Sequence, residues 1–306
     1  MPARAFLLAL LAAVAGLLAV AAGASADALT PESGGSPNAD EIDSLYKIVF
    51  VVAIVVFVGV EGTLLYSVLR FRARKGRIPA QIHGNTRLEI GWTVGATLVL
   101  AVITVITFIQ LGKINDPQRS GPGGYAGSGR AVYASVDQPN PPGGEELDIE
   151  VNGQQFVWRF SYDIDRDGNT LNDPFTYEEM VVPANTTVTL DIVSQDVAHS
   201  WWIPKLGGKM DALPGYTNHT WFKARLKPGQ QSTVYEGQCA ELCGRNHANM
   251  LATVRVLPVP QFKAWLARQT QQIKQANTAA AGQAKALNPL QPTQKPAAPS
   301  QTGPEK

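Results

Sequence analysis

Gln238-Cys239-Ala240-Glu241-Leu242-Cys243-Gly244-Arg245-Asn246-His247-Ala248-Asn249-Met250 holds both cysteines of the chain, one of its four histidines and one of its four methionines. Two thiolates, an imidazole and a thioether form a soft donor set, suited to copper rather than to magnesium or calcium. A further donor must come from elsewhere, and His199 in Asp196-Val197-Ala198-His199-Ser200 is the candidate. Other chemistries use part of this set. A cysteine pair at this spacing in an exported domain can close a disulfide. Two Cys and two His can hold structural zinc, which has no use for Met250. A mononuclear copper site with two His, one Cys and an axial Met leaves one cysteine over. Two bridging thiolates would instead hold two copper ions, with His199 and His247 as terminal ligands and Met250 and a backbone carbonyl as weak axial ones.

Around this stretch the chain reads as short strands bounded by turns, from residue 130 to 258. The strand segments are Val132–Val136, Leu147–Val151, Gln155–Tyr162, Thr187–Val193, Gln231–Glu236 and Leu251–Val256. Val181-Val182-Pro183-Ala184-Asn185-Thr186 and Leu226-Lys227-Pro228-Gly229-Gln230 read as turns feeding two of them. Such spacing predicts a β-sandwich or barrel. Asp163-Ile164-Asp165-Arg166-Asp167-Gly168-Asn169 begins like a calcium loop, but Pro174 stands at its twelfth position, so a solvated hairpin turn is the reading.

Upstream, apolar residues crowd the first 112 positions. Residues 1–26 read as a signal peptide, with Arg4, an apolar core and Ala24-Ser25-Ala26 as the cleavage site. Residues 27–47 form a polar lead. Residues 48–111 form a transmembrane helical hairpin with spans at 48–69 and 90–111, each long enough for a bilayer. Arg70, Arg72, Arg74, Lys75, Arg77 and Arg87 mark the intervening loop as cytoplasmic. Residues 112–129 are Gly-, Pro- and Ser-rich and read as a linker. Residues 259–274 read as a short helix, and 275–306 as a disordered Ala/Gln/Pro/Lys tail. With 306 residues, 45% of them hydrophobic, and a formal charge of +1, no nucleic-acid partner is implied. The fold class is therefore a membrane-anchored all-β protein, a two-helix hairpin followed by a β-sandwich or barrel.

Cys-x3-Cys-x3-His-x2-Met, preceded by Tyr235-Glu236-Gly237-Gln238 and by Asp-Val-x-His-Ser, resembles subunit II of haem–copper cytochrome c oxidase. The likeness includes Lys209-Met210-Asp211-Ala212-Leu213-Pro214-Gly215 and the two apolar segments, and covers residues 41 to 257. It implies a Greek-key cupredoxin domain with a binuclear copper A centre at His199, Cys239, Glu241, Cys243, His247 and Met250. The backbone carbonyl of Glu241 would be the copper ligand, and its carboxylate would bind Mg2+ at the face shared with subunit I. Glu-x-x-Trp-Thr at Glu89 is also a feature of the family and lends Glu89 a place at a proton-uptake route. On residues alone, Glu89 is a solvated charge favoured at a helix N-terminus.

In mitochondrial-type members a tryptophan takes the electron from cytochrome c. The matching residue in Gly153-Gln154-Gln155-Phe156-Val157-Trp158 is Phe156, and Trp158 matches a neighbouring aromatic. Trp201 and Trp202 are expected on the docking face for subunit I. Asp196, Ser200 and Gln238 are the local candidates for orienting the imidazoles. The acidic residues Asp163, Asp165, Asp167, Glu178, Glu179 and Asp196 are expected to attract a basic cytochrome. No Cys-x-x-Cys-His occurs, so a separate c-type cytochrome is the expected donor.

The resemblance thus implies a two-pass protein of the bacterial inner membrane with the copper domain outside. Electrons would pass to haem and copper in subunit I, where oxygen becomes water and protons are pumped. The alternatives are a copper A subunit of a nitric-oxide-reducing enzyme, and a zinc- or disulfide-stapled binding domain on a membrane anchor.

Overall fold

A computed structural model describes residues 30–72, 76, 78, 81–121, 124, 146–162, 173–227 and 229–287. The signal-peptide segment, Val132–Val136, the aspartates at 163, 165 and 167, and residues 288–306 lie outside the described residues.

Two apolar helices come first, α1 (Pro37–Arg70) and α2 (Thr86–Asn115). Pro37 sits at the first helical position of α1, where its fixed φ suits the helix and no amide hydrogen is missed. Asn85 caps α2, its side chain accepting a hydrogen bond from the Leu88 N–H. The most apolar windows of the two helices have mean hydropathies of 2.7 and 2.3. Their middles present Val55, Val58, Val102 and Phe108 outward, as lipid contact requires. At 1.5 Å per residue α1 is about 51 Å long, against about 30 Å of hydrocarbon, so several turns stand outside the bilayer.

Those turns correct two expected boundaries. Residues 37–47 are helical, not part of a polar lead, and α2 runs to Asn115, four residues into the expected linker. The physical reason is docking. Ser36, Asn38, Ala39 and Asp43 are buried, because the outer ends of both helices pack on the β domain. Asn38 donates to the Trp221 carbonyl, the Lys223 N–H donates to the Ser36 hydroxyl, and the Arg225 N–H donates to the Gly35 carbonyl. Trp221 Nε1 donates to the Ile114 carbonyl, and Arg225 pairs with Asp40 at 2.8 Å.

The β domain consists of β1 (Glu146–Gln154), β2 (Val157–Tyr162), β3 (Phe175–Tyr177), β4 (Glu179–Pro183), β5 (Thr187–Ser194), β6 (His199–Trp202), β7 (Met210–Ala212), β8 (Asn218–Lys223), β9 (Thr233–Cys239) and β10 (Leu251–Leu257). They form two five-stranded sheets, ordered β3-β2-β1-β5-β8 and β4-β10-β9-β6-β7. The β1–β5 and β4–β10 pairs are parallel, and the others are antiparallel. Both inner faces bury alternate residues, Ile149 and Val151, Leu190 and Ile192, Val254 and Val256, which is the period-two pattern of a half-buried strand. Trp158, Phe160, Tyr162, Met180 and Phe222 fill the space between them.

Val181–Pro183, expected in a turn, belongs to β4, where Val181 and Val182 pair with Arg255 and Val256. The C-terminal helix α3 (Val259–Leu287) is longer than the expected 259–274 and takes in the first part of the expected tail. Phe262 and Leu266 anchor it to the core, and Trp265 packs against Tyr162.

Candidate metal centre

Neighbouring strands of one sheet bring the donors together. His199 opens β6 and Cys239 closes β9, and these strands pair with Trp201 opposite Cys239. The chain then loops out through Ala240–Met250 and returns as β10, whose Leu251 pairs with Gln238. Backbone hydrogen bonds fix the loop at both ends, Ala240 N–H to the Ser200 carbonyl at 2.8 Å and Cys239 N–H to the Met250 carbonyl at 2.9 Å. A 3-10 turn at His247–Asn249 turns the second imidazole back toward the cysteines. Gly244 has φ +133°, a conformation side chains disfavour, and a Cβ there would crowd Gln155 Nε2 at 3.0 Å and the Phe156 ring at 3.1 Å.

The sulfurs of Cys239 and Cys243 are 3.9 Å apart, and both thiols are free. Cys239 Sγ lies 3.8 Å from His199 Nδ1, whereas Cys243 Sγ lies 3.6 Å from His247 Nδ1. Met250 Sδ is 3.8 Å from Cys243 Sγ, and the Glu241 carbonyl is 3.3 Å from Cys239 Sγ. All six residues named from the sequence therefore meet at one end of the sandwich. Among the described residues, the ligand atoms of His199, Cys239 and Cys243 form a compact group, all within 4.8 Å of one another. His247 is not part of that compact group. His199, Cys239, Cys243 and Met250 are buried, while His247 is half-buried and marks the solvent side. No disulfide joins the cysteines, so that alternative is set aside for this structure.

Asp196 is the orienting residue among the three candidates. Its Oδ1 lies 2.9 Å from His199 Nε2, which leaves Nδ1 facing Cys239. Partial burial works against its charge. Hydrogen bonds from the Gln155 N–H, the His199 ring and the Val197 N–H outweigh that and hold the carboxyl below its ordinary value. Ser200 and Gln238 make no side-chain contact with a donor residue among the hydrogen bonds of the described site. Burial pushes the Cys243 thiol up to about 11, with the neighbouring Cys239 adding to the effect. A metal would have to displace that proton.

The β1–β2 hairpin tip supplies contacts that reading the ligand loop does not suggest. Gln155 donates from its side chain to the Cys243 carbonyl at 2.6 Å and from its backbone N–H to Asp196 at 2.7 Å. The ring of His199 lies against the bare Cα of Gly153. Trp158 meets His199 edge-on, with ring centroids 5.8 Å apart, and is fully buried. Phe156 is half-buried beside Gly244, nearer the surface.

Other expected residues fall as follows. The Glu241 side chain is exposed. Glu89 lies in the first turn of α2, and its carboxylate accepts from the Asn85 N–H at 3.3 Å. Trp202 is half-buried with Lys209 over its ring. Trp201, expected on a docking face, is instead a core residue stacked on Phe222, because β6 turns it into the sandwich. Two members of the expected acidic patch are already engaged, Glu179 with Arg255 at 2.7 Å and Asp196 with His199.

Residues 171–257 match the family description "Cytochrome C oxidase subunit II, periplasmic domain", and residues 24–109 match "Cytochrome C oxidase subunit II, transmembrane domain". The chain is 32% identical over 261 residues to cytochrome c oxidase subunit 2 of Alkalihalophilus pseudofirmus, covering 84% of this chain and 67% of that one. It is 28% identical over 295 residues to cytochrome c oxidase subunit 2 of Cereibacter sphaeroides, covering 82% and 88%. Among solved structures it is similar to the periplasmic domain of subunit II of the cytochrome oxidase of Bradyrhizobium japonicum. That likeness has 30% identity, covers 42% of this chain and 95% of that one, and has a TM-score of 0.36. A hairpin of two apolar helices, a sandwich carrying two cysteines and two histidines at one end, and these matches over both halves lead to one conclusion: the chain belongs to the cytochrome c oxidase subunit II family.

Proposed function

We propose that the loop end of the sandwich is a binuclear copper A centre, held by His199, Cys239, the Glu241 carbonyl, Cys243, His247 and Met250, that receives electrons for the oxidase. The observation that carries this reading is that each sulfur faces an imidazole of its own, Cys239 that of His199 and Cys243 that of His247. A single tetrahedral zinc would draw all four donors around one point, which the position of His247 outside the compact group disfavours. Two metals sharing the two thiolates would use every donor present. Bound copper supplies one-electron redox chemistry.

The chain's own residues do the rest. Burial excludes water from both thiolates, Asp196 fixes the tautomer and plane of His199, and the paired strands keep the donors in place when charge changes. Phe156, half-buried between solvent and the loop, is the aromatic that receives the electron from a c-type cytochrome. Trp158 serves instead as packing under His199. The exposed Glu241 carboxylate is the Mg2+ ligand toward subunit I, and Glu89 stands at a proton-uptake route, its position at the exposed start of α2 supporting that reading. Residues 1–26 are a signal peptide, and the protein crosses a bacterial inner membrane twice with its β domain outside.

The test is metal analysis and electron paramagnetic resonance on the full chain purified in mild detergent with its oxidase partners. Two copper ions per chain and hyperfine structure shared over two nuclei are expected. One copper, or zinc, would refute the reading.

A further inference from the structure

The two loops that carry the donors come from distant parts of the sequence, and one residue outside both touches each. Gln155 sits at the tip of the β1–β2 hairpin. Its backbone N–H donates to Asp196 Oδ2 at 2.7 Å, and Asp196 Oδ1 holds His199 Nε2 at 2.9 Å. Its side-chain amide donates to the Cys243 carbonyl at 2.6 Å. Nothing else in the hydrogen bonding of the described residues joins the Asp196–His199 segment to the Cys243 half of the loop. Ala240 bonds to Ser200, but that bond lies on the Cys239 side.

We propose that Gln155 is a positioning residue for the metal centre, a clamp that sets the spacing between the His199 imidazole and the Cys243 thiolate. The proposal rests on the copper reading above. It follows from a simple asymmetry. Cys239 is held by strand pairing, so its place is fixed by the sheet. Cys243 follows three loop residues and a glycine with φ +133° comes next, so its backbone has few restraints of its own. The amide of Gln155 supplies the missing one, and it does so from the residue whose backbone also anchors the histidine's carboxylate. Displacing the hairpin would therefore move both ends of the donor set together. Loss of the side chain alone would free only the Cys243 end.

The experiment uses the full chain, alone and in its oxidase complex. Gln155→Leu keeps the bulk and the backbone N–H but removes the donor. Gln155→Glu places an acceptor against the Cys243 carbonyl and should act in the same direction, more strongly. In the metal-free chain, amide hydrogen exchange at His247 and Met250 should quicken on the order of fivefold in Gln155→Leu, as loss of one net hydrogen bond requires. Exchange at Val197, on the Asp196 side, should be unchanged. In the copper-loaded complex the hyperfine pattern and reduction potential should shift in both variants, with metal content retained. A merely structural role elsewhere in the hairpin would not move the potential. Wild-type exchange at His247 and Met250 in both variants overturns the clamp, whatever the metal content. Altered exchange with an unchanged hyperfine pattern and potential overturns it as a positioning device. The copper content of the unmodified chain judges the copper reading separately.

Discussion

Gly153→Ala tests how closely the histidine is packed. A Cβ at this position would stand 3.0 Å from His199 Cδ2, 3.1 Å from Trp158 Cζ3 and 3.2 Å from His199 Cγ. Such approaches require the neighbour to give by a few tenths of an ångström. Neither neighbour can do so freely. Trp158 is fully buried and His199 is held at Nε2 by Asp196. The backbone of Gly153 is fixed on both sides, paired with Trp158 and Ser194, so it cannot retreat. In an open strand position, alanine would stabilise by about 0.5–1 kcal/mol relative to glycine. Here overpacking should dominate and destabilise by about 1–3 kcal/mol. For a domain of this size that lowers the thermal midpoint by about 2–4 °C per kcal/mol. The sign separates the two cases. The assay is thermal unfolding of the metal-free chain in mild detergent, followed by the electron paramagnetic resonance spectrum after copper loading. A raised midpoint with an unaltered spectrum would refute the packing argument.

The remaining predictions concern the donors and their surroundings. Because the Cys243 thiol is pushed up to about 11, the metal-free chain carries its proton at neutral pH, and metal loading must release it. Apparent metal affinity should therefore rise with pH from 6 to 8, measured by chelator competition; a pH-independent affinity would contradict this. Glu241→Gln should keep copper, since the carbonyl near Cys239 survives, yet weaken Mn2+ binding in the assembled complex, and metal analysis of the purified variant reads both. Phe156→Leu should slow electron transfer within the cytochrome-bound complex by tenfold or more while leaving its salt dependence alone, on the view that a positioned contact group governs rate inside the complex and charge governs encounter; transient absorption at two ionic strengths decides it.

The candidate donor set is legible because it is compressed, with five of the six residues named from the sequence between 239 and 250 and the sixth in a recognisable Asp-Val-x-His-Ser. Asp196 was legible for the same reason, lying three residues before its partner. Gln155 and Gly153 act on the site across 88 and 46 residues of sequence, and no local pattern signals such a contact. The outer turns of α1 are hidden because Ser36, Asn38 and Asp40 look like loop residues; what fixes the start of the helix is their set of partners on and just after β8, Lys223, Trp221 and Arg225. The signal for the full length of α3 is present in the sequence. Its Ala, Gln and Lys residues have strong helix propensity, but repetitive composition suggested disorder. β4 is hidden because its turn-like Pro183, and Asn185 just beyond it, follow two valines that pair in parallel with β10.

The seating of the helix ends on the β domain has a further consequence for solubility. β8 is the last strand of its sheet, and the Lys223 N–H and Trp221 carbonyl point away from β5. An edge strand left bare is a template on which another copy can add a strand. Ser36 and Asn38 occupy those two groups, so the segment leading into the membrane also seals the sheet. The anchor is thereby part of the domain's own surface, and a fragment trimmed back to the strands exchanges a membrane tether for an adhesive margin.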